Sequence, residues 1–292
     1  MRFPNKNMKE SFLPQTNICY RINDFNPQKQ TIVFVHGVSG SLSAWQEFEK
    51  RFKQKYNILM FDLRGHGRSF KPRTYESYRI ELFAQDLRDL IDYFNINKCV
   101  LISHSYGNLI TLAFLKNNQN RVDRAVLFSP QYAVKKIPLA RIFMPLFRLA
   151  AKIKLPVPFS KIRGRVDYAK YKNTTDWNIR RNFADIRNTG LRVYLYCACQ
   201  AHGFNGENIL AKIKIPVLII HGKKDTIFPL KYTQVMADKI PAAKMIVINN
   251  ADHILVLNHF REIAPMIENF VEGLNQSIPR SSAPGYSLQG RV

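Results

Sequence analysis

Ser105, Asp225 and His253 are the residues of this chain whose types and order suit nucleophilic chemistry. A serine hydroxyl is a weak nucleophile at its own pKa. It needs a base beside it, and the base needs a third group to hold its orientation. Ser105 stands in the run Ser103-His104-Ser105-Tyr106-Gly107, where a short apolar stretch ends in small and polar residues and a helix-compatible run, 108–116, follows at once. That pattern is strand, tight turn, helix, with Ser105 at the apex. The residues two before and two after the apex must be small so that strand and helix can approach, and Ser103 and Gly107 are. The turn presents the hydroxyl clear of any sheet, and the N–H of Tyr106, opening the helix, points into the same space.

Three loops can converge only if the elements behind them share an edge. The run 31–35 is continuously β-branched and aromatic, suiting a strand buried on both faces. It stops at His36-Gly37-Val38-Ser39-Gly40. Residues 43–52 read as a helix with Trp45, Phe48 and Phe52 on one side, and 57–61 as a second buried strand. Ile80, Phe83, Leu87, Leu90, Ile91 and Phe94 repeat with a helical period over 78–94. Strands at 100–102 and 124–128 follow, then, after an interruption, strands at 216–220 and 244–248 with a helix at 232–239 between them and a last helix over 260–274. Strand–helix alternation of this kind predicts a parallel sheet with helices on both faces. In such a sheet the strand C-termini meet at one edge, where ligands gather. Ser105, Asp225, His253 and the Gly37-Val38 loop all fall there. His253 would act as base, Asp225 would hold its tautomer, and the N–H groups of Val38 and Tyr106 would bind an oxyanion, a contribution of about 3 kcal/mol per donor.

Taken with His36-Gly37, the loop Asp62-Leu63-Arg64-Gly65-His66-Gly67-Arg68-Ser69, the run His221-Gly222-Lys223-Lys224-Asp225 and Asp252-His253, the chain resembles the α/β-hydrolase fold superfamily in its lid-bearing serine esterase and lipase branch. The resemblance spans about residues 31–275 and implies an α/β fold: a mostly parallel sheet, helices on both faces and an inserted helical lid. It implies ester hydrolysis without metal or organic cofactor. Relatives that open epoxides or remove halides have an aspartate as nucleophile, and Ser105 argues against both. Two positions depart from the family pattern: Ser103 replaces the first elbow glycine, and residues 249–253 lack the glycine that often precedes the histidine. The expected organisation is a core of residues 1–130 and 209–275, a helical lid at 131–208 where alternation stops and prolines appear, and a tail at 276–292 without regular structure.

Other chemistry-bearing residues read as scaffold. Asp62 is expected to pair with Arg64 or cap main-chain amides. His36, His66 and His221 are expected to be hydrogen-bonded supports, and His104 to point into helix packing or the pocket rim. Cys197, Cys199 and His202 lack metal-ligand spacing, and no glycine loop for a nucleotide is present. The four cysteines form no disulfide framework and residues 1–10 carry no apolar leader, which points to a reducing, cytoplasmic setting.

The charge is far from balance, 44 Lys and Arg against 21 Asp and Glu, formally +23 in 292 residues. Residues 135–166 hold nine Lys or Arg and no acid. Within them Arg141, Arg148 and Lys152 fall near one helical face, opposite Ile142, Phe143, Leu146, Leu149 and Ile153. That arrangement suits a lid with a solvated basic side, or a helix lying on an anionic membrane surface. Nucleic-acid binding would call for stacking aromatics interleaved with the cations, and the family resembled does not imply it, so nucleic acid is not expected. The expected partner is a small-molecule or lipid ester. The competing expectations are thioester or carbon–carbon bond hydrolysis on the same residues, and a non-catalytic protein binding lipid or protein through the basic insertion.

Overall fold

Side chains that alternate between two apolar faces build the sheet at the centre of the molecule. The computed structural model describes residues 8–136, 142, 145, 149, 164–274 and 286–289. Nine strands form one sheet: β1 (Lys9–Phe12), β2 (Cys19–Ile22), β3 (Thr31–Val35), β4 (Asn57–Phe61), β5 (Cys99–His104), β6 (Val122–Phe128), β7 (Val217–Gly222), β8 (Ala243–Ile248) and β9 (Tyr286–Gln289). Their spatial order is β1-β2-β4-β3-β5-β6-β7-β8-β9. From β4 to β8 every neighbouring pair is parallel, while β1, β2 and β9 run antiparallel to their neighbours.

All five residues of β3 are buried, and they divide between the two faces by the period-two alternation of a strand. Val33 and Val35 join Leu59, Phe61, Leu101 and Leu127 on one side. There α2 (Ile80–Tyr93) and α3 (Tyr106–Asn118) pack Phe83, Leu87, Leu109 and Leu112 against them. Ile32 and Phe34 join Ile58, Met60, Val100 and Ile102 on the other. There α1 (Gln46–Phe52) contributes Phe48 and Phe52, and a short 3₁₀ turn before it contributes Trp45. Phe34 meets the rings of Trp45, Phe48 and Phe52 at centroid separations of 5.1, 6.0 and 6.4 Å.

Between β6 and β7 the described residues hold no strand. They carry α4 (Ile179–Thr189), α5 (Leu191–Gly203) and α6 (Glu207–Leu210). After β7 come α7 (Leu230–Lys239), α8 (Leu255–Asn258) and α9 (Phe260–Val271). Arg141, Arg148 and Lys152, the basic face expected of the insertion, lie outside the described residues. Ile142 and Leu149 are exposed. Among the described residues no helix is long and apolar enough to cross a membrane.

The sequence pattern suggests one short strand, 18–22, in the first 25 residues and no regular structure in the tail, and both are corrected. The first 25 residues hold two strands, because β1 pairs with β2 as an antiparallel hairpin. The tail at 276–292 contains β9, which pairs antiparallel with β8 through Met245↔Gln289 to Ile248↔Tyr286. A low-complexity composition argues against a packed core of its own. It does not stop four residues from taking the main-chain partners that an edge strand offers.

Candidate active site

The turn after β5 fixes the position of Ser105. Its backbone sits at φ 53°, ψ −118°, outside the regions an L-residue favours. The strain is held by the N–H of Ser105 bonding to Phe128 O at 3.0 Å and the N–H of Asn108 to Ser105 O at 2.9 Å. Gly107 lies so close to β3 that a Cβ there would stand 2.6 Å from Val35 O. Ser103, in the place of a usual glycine, donates its hydroxyl to Asn108 Oδ1 at 2.7 Å, and Asn108 Nδ2 donates to Phe128 O at 2.8 Å. The serine therefore fits and ties strand to helix.

His253 comes from the loop after β8 and Asp225 from the loop after β7. His253 Nε2 lies 2.8 Å from Ser105 Oγ, and His253 Nδ1 lies 2.8 Å from Asp225 Oδ2. The second oxygen, Asp225 Oδ1, accepts the N–H groups of Ile227 and Phe228 at 2.9 and 2.8 Å. Burial opposes ionisation of Asp225, but His253 beside it and these hydrogen bonds outweigh burial and hold its carboxyl down at about 2. An ionised carboxylate on Nδ1 keeps the proton there, so that Nε2 presents its lone pair to the serine. Ser105 and His253 are 6% and 7% exposed, dry enough to strengthen both contacts and still open to a cavity.

Val38 and Tyr106, the two expected oxyanion donors, both line that cavity beside Ser105. Tyr106 opens α3, so its N–H has no acceptor within the helix. Gly37 lets the Val38 loop close on the elbow; a Cβ there would stand 3.3 Å from Ser105 Cβ. The cavity has a volume of about 630 Å³ and lies between the sheet edge and the insert. Leu109, Val134, Ile186, Ala198, Phe228 and Leu257 make its wall largely apolar. Polar side chains interrupt it, among them Tyr168, whose Oη donates to Asp185 Oδ1 at 2.7 Å. Burial, against the Tyr168 bond and nearby Arg181, pushes the Asp185 carboxyl up to about 6.

Several supporting residues behave as their neighbours in sequence suggest. His36 Nε2 accepts the N–H of Leu63 at 3.0 Å, and His66 Nδ1 bonds to Arg64 O at 2.9 Å. His221 Nε2 stands 3.7 Å from Asp225 Oδ2, beyond hydrogen-bond reach, while its Nδ1 meets Thr233 Oγ1 at 3.0 Å. Asp62 does cap main-chain amides, those of Leu42 and Arg68 at 2.8 and 2.9 Å. Its ion partner, however, is Arg165 at 2.9 Å, because Arg64 turns to a bidentate pair with Asp86.

Sequence reasoning missed two contributors. His104 lines the cavity, as one of its two expected places would have it, but its contact with the base was not foreseen: its Nε2 bonds to His253 O at 2.8 Å and the two rings lie 5.1 Å apart. Burial pulls its pKa down to about 3, so it stays neutral and donates one proton to that carbonyl. Its place next to the nucleophile was the available signal. Asp176 accepts the N–H of His253 at 2.8 Å, and it comes from the insert, where nothing in the local pattern marked it.

A buried hydroxyl–imidazole–carboxylate chain stands at the C-terminal edge of a parallel sheet, beside a helical insert. A model of the alpha/beta hydrolase fold family matches residues 30–260, and the chain belongs to that family. It is 24% identical over 277 residues to an uncharacterized protein of Mycobacterium tuberculosis, covering 87% of this chain and 78% of that protein. It is also 23% identical to epoxide hydrolase 4 of Mus musculus, covering 71% of this chain and 63% of that one. Among solved structures, a hydrolase from Pseudomonas aeruginosa PA01 superposes with a TM-score of 0.70 at 16% identity, covering 93% of this chain and 99% of its own. The enol-lactonase from Burkholderia xenovorans LB400 does so at 0.69 and 20% identity, covering 90% and 100%. These last two likenesses are of fold.

Proposed function

We propose that the chain is a serine hydrolase of carboxylic esters with an apolar acyl group, acting through Ser105, His253 and Asp225. The observation that carries this reading is the pair of 2.8 Å contacts that link the three side chains in series. Ser105 Oγ attacks the acyl carbon as His253 Nε2 takes its proton. The oxyanion that forms is held by the N–H groups of Val38 and Tyr106. His253 then returns the proton to the alkoxide oxygen, the alcohol departs and an acyl-enzyme remains. Water then takes the place of the alcohol: His253 Nε2 removes its proton as it attacks the acyl carbon, the bond to Ser105 Oγ breaks, and the proton passes to Oγ, releasing the acid and restoring Ser105. Asp225 stays ionised throughout and stabilises the imidazolium. The serine at the elbow favours acyl transfer over the aspartate-based opening of an epoxide. The apolar cavity wall supports a lipid-like acyl group over a small polar one.

A fluorophosphonate probe should label the wild type and leave Ser105→Ala unlabelled, with ester turnover falling at least about a thousandfold in the variant. Equal labelling of both proteins would remove Ser105 from the chemistry. Aryl esters assayed beside acyl-CoA thioesters separate ester from thioester hydrolysis, and a protein that turns over neither despite intact folding would be a binding member of the family.

A further inference from the structure

Among the described residues of the insert, Asp176 reaches the Ser105–His253–Asp225 arrangement through its carboxylate. Asp176 is 6% exposed. Its Oδ1 accepts the main-chain N–H of His253 at 2.8 Å. Its Oδ2 accepts the N–H of Thr226 at 3.1 Å and the Thr226 hydroxyl at 2.8 Å. Thr226 directly follows Asp225, so a single side chain joins the loop bearing the base to the loop bearing its acid partner. Three donors converge on it, one on Oδ1 and two on Oδ2, so both carboxyl oxygens are engaged as acceptors.

Asp176 is itself held. The buried guanidinium of Arg181 donates from Nη2 to Asp176 O at 2.7 Å. On either side the same stretch is sewn to the core: Trp177 Nε1 donates to Thr226 Oγ1 at 2.9 Å, the N–H of Asn173 to Asn258 Oδ1 at 2.9 Å, and Asn258 Nδ2 to Thr174 O at 2.8 Å. Residues 173–177 thus form a seam between insert and sheet edge, and the seam runs through the reacting residues.

We infer that Asp176 is a positioning residue for His253, and that the reacting arrangement is complete only while the insert is seated on the sheet edge. The inference rests on the role of Ser105, His253 and Asp225 given above. The seam works because the loop after β8 reaches His253 with little secondary structure of its own. A carboxylate anchored in the insert removes the freedom of that loop, and with it the freedom of the imidazole.

Asp176→Asn tests it. An amide has one acceptor oxygen and sets its NH2 against a donor, so it can serve one loop and not both. Its kcat for an aryl ester should fall about 10- to 100-fold while KM stays within about threefold, the signature of a displaced base and an intact cavity. In the same variant the amide hydrogens of His253 and Thr226 should exchange faster with solvent. Formate should restore part of the rate of Asp176→Ala and leave the wild type unchanged. A variant with wild-type kcat and unaltered exchange at His253 overturns the inference. If both variants lose their fold, Thr226→Ala decides: it removes one of the three donors and should lower kcat several-fold, and no loss overturns the inference equally. Should the wild type itself hydrolyse no ester and take no label, the ester reading falls, while amide exchange at His253 still decides whether Asp176 holds the loop.

Discussion

A buried carboxylate at this site serves in two opposite electrostatic settings. Asp225 has an imidazole and two main-chain N–H groups on its oxygens, and its charge is favoured in spite of burial. Asp185 has one tyrosine hydroxyl, and burial wins, raising its pKa to about 6 from an ordinary 3.8. An acid whose pKa is higher in the folded than in the unfolded chain takes up a proton on folding. The stability from that protonation is complete below the ordinary carboxylate value and is lost as pH rises through the folded one. Asp185→Asn keeps an acceptor for Tyr168 and never ionises. Relative to wild type, its stability to urea should therefore rise by about 1–3 kcal/mol between pH 4 and pH 8. A difference between the two proteins that is constant with pH would show that Asp185 does not titrate in this range.

At the scale of elements, the elbow depends on β3 and α3 approaching closely. Alanine favours a helix over glycine by about 1 kcal/mol, so local propensity alone makes Gly107→Ala stabilising. The tertiary contact reverses the sign. The added methyl would stand 2.6 Å from Val35 O and 2.8 Å from His36 O, both main-chain atoms of a central strand and its loop that cannot swing aside. Gly107→Ala should destabilise by about 1–3 kcal/mol, read from the midpoint of urea unfolding, and should lower ester turnover with it. A neutral or stabilising result would mean that α3 can slide along β3, and that the elbow is looser than its hydrogen bonds suggest.

At the scale of the molecule, the insert and the sheet edge together make the cavity, and neither lines it alone. Tyr168, Ile186 and Ala198 come from the insert; Val38, Leu109 and Phe228 come from the core. An acyl chain entering this space leaves water, at about 0.8 kcal/mol per methylene, so kcat/KM should climb up to about fourfold per added carbon until the cavity is filled. A series of aryl esters from acetate to dodecanoate measures this directly. Rates that do not change with chain length would place the acyl group outside the cavity.

Much of this arrangement is legible in the linear chain because it depends on local pattern. Buried strands announce themselves by uninterrupted apolar runs such as 31–35, and the elbow by small residues around Ser105. The order Ser105, Asp225, His253 then follows from the fact that parallel strands deliver their loops to a common edge. Boundaries shifted by up to three residues: the last helix ends at Val271, and α3 begins at Tyr106, two residues before its helix-compatible run, because helix starts directly after the elbow residue. What the chain order cannot encode is which side chain from a distant segment meets a given main-chain group. Asp176, in a turn of the insert, reaches the N–H of His253; Arg165 takes the carboxylate that Arg64 leaves for Asp86; His104, at the end of β5, turns to a carbonyl in the loop after β8. Such pairings are decided by packing in three dimensions, where geometry selects one partner among several of equal chemistry. The amino-acid sequence alone determined the parallel core of the sheet and the edge at which Ser105, Asp225 and His253 meet. Only the tertiary structure decided how the insert holds them in place.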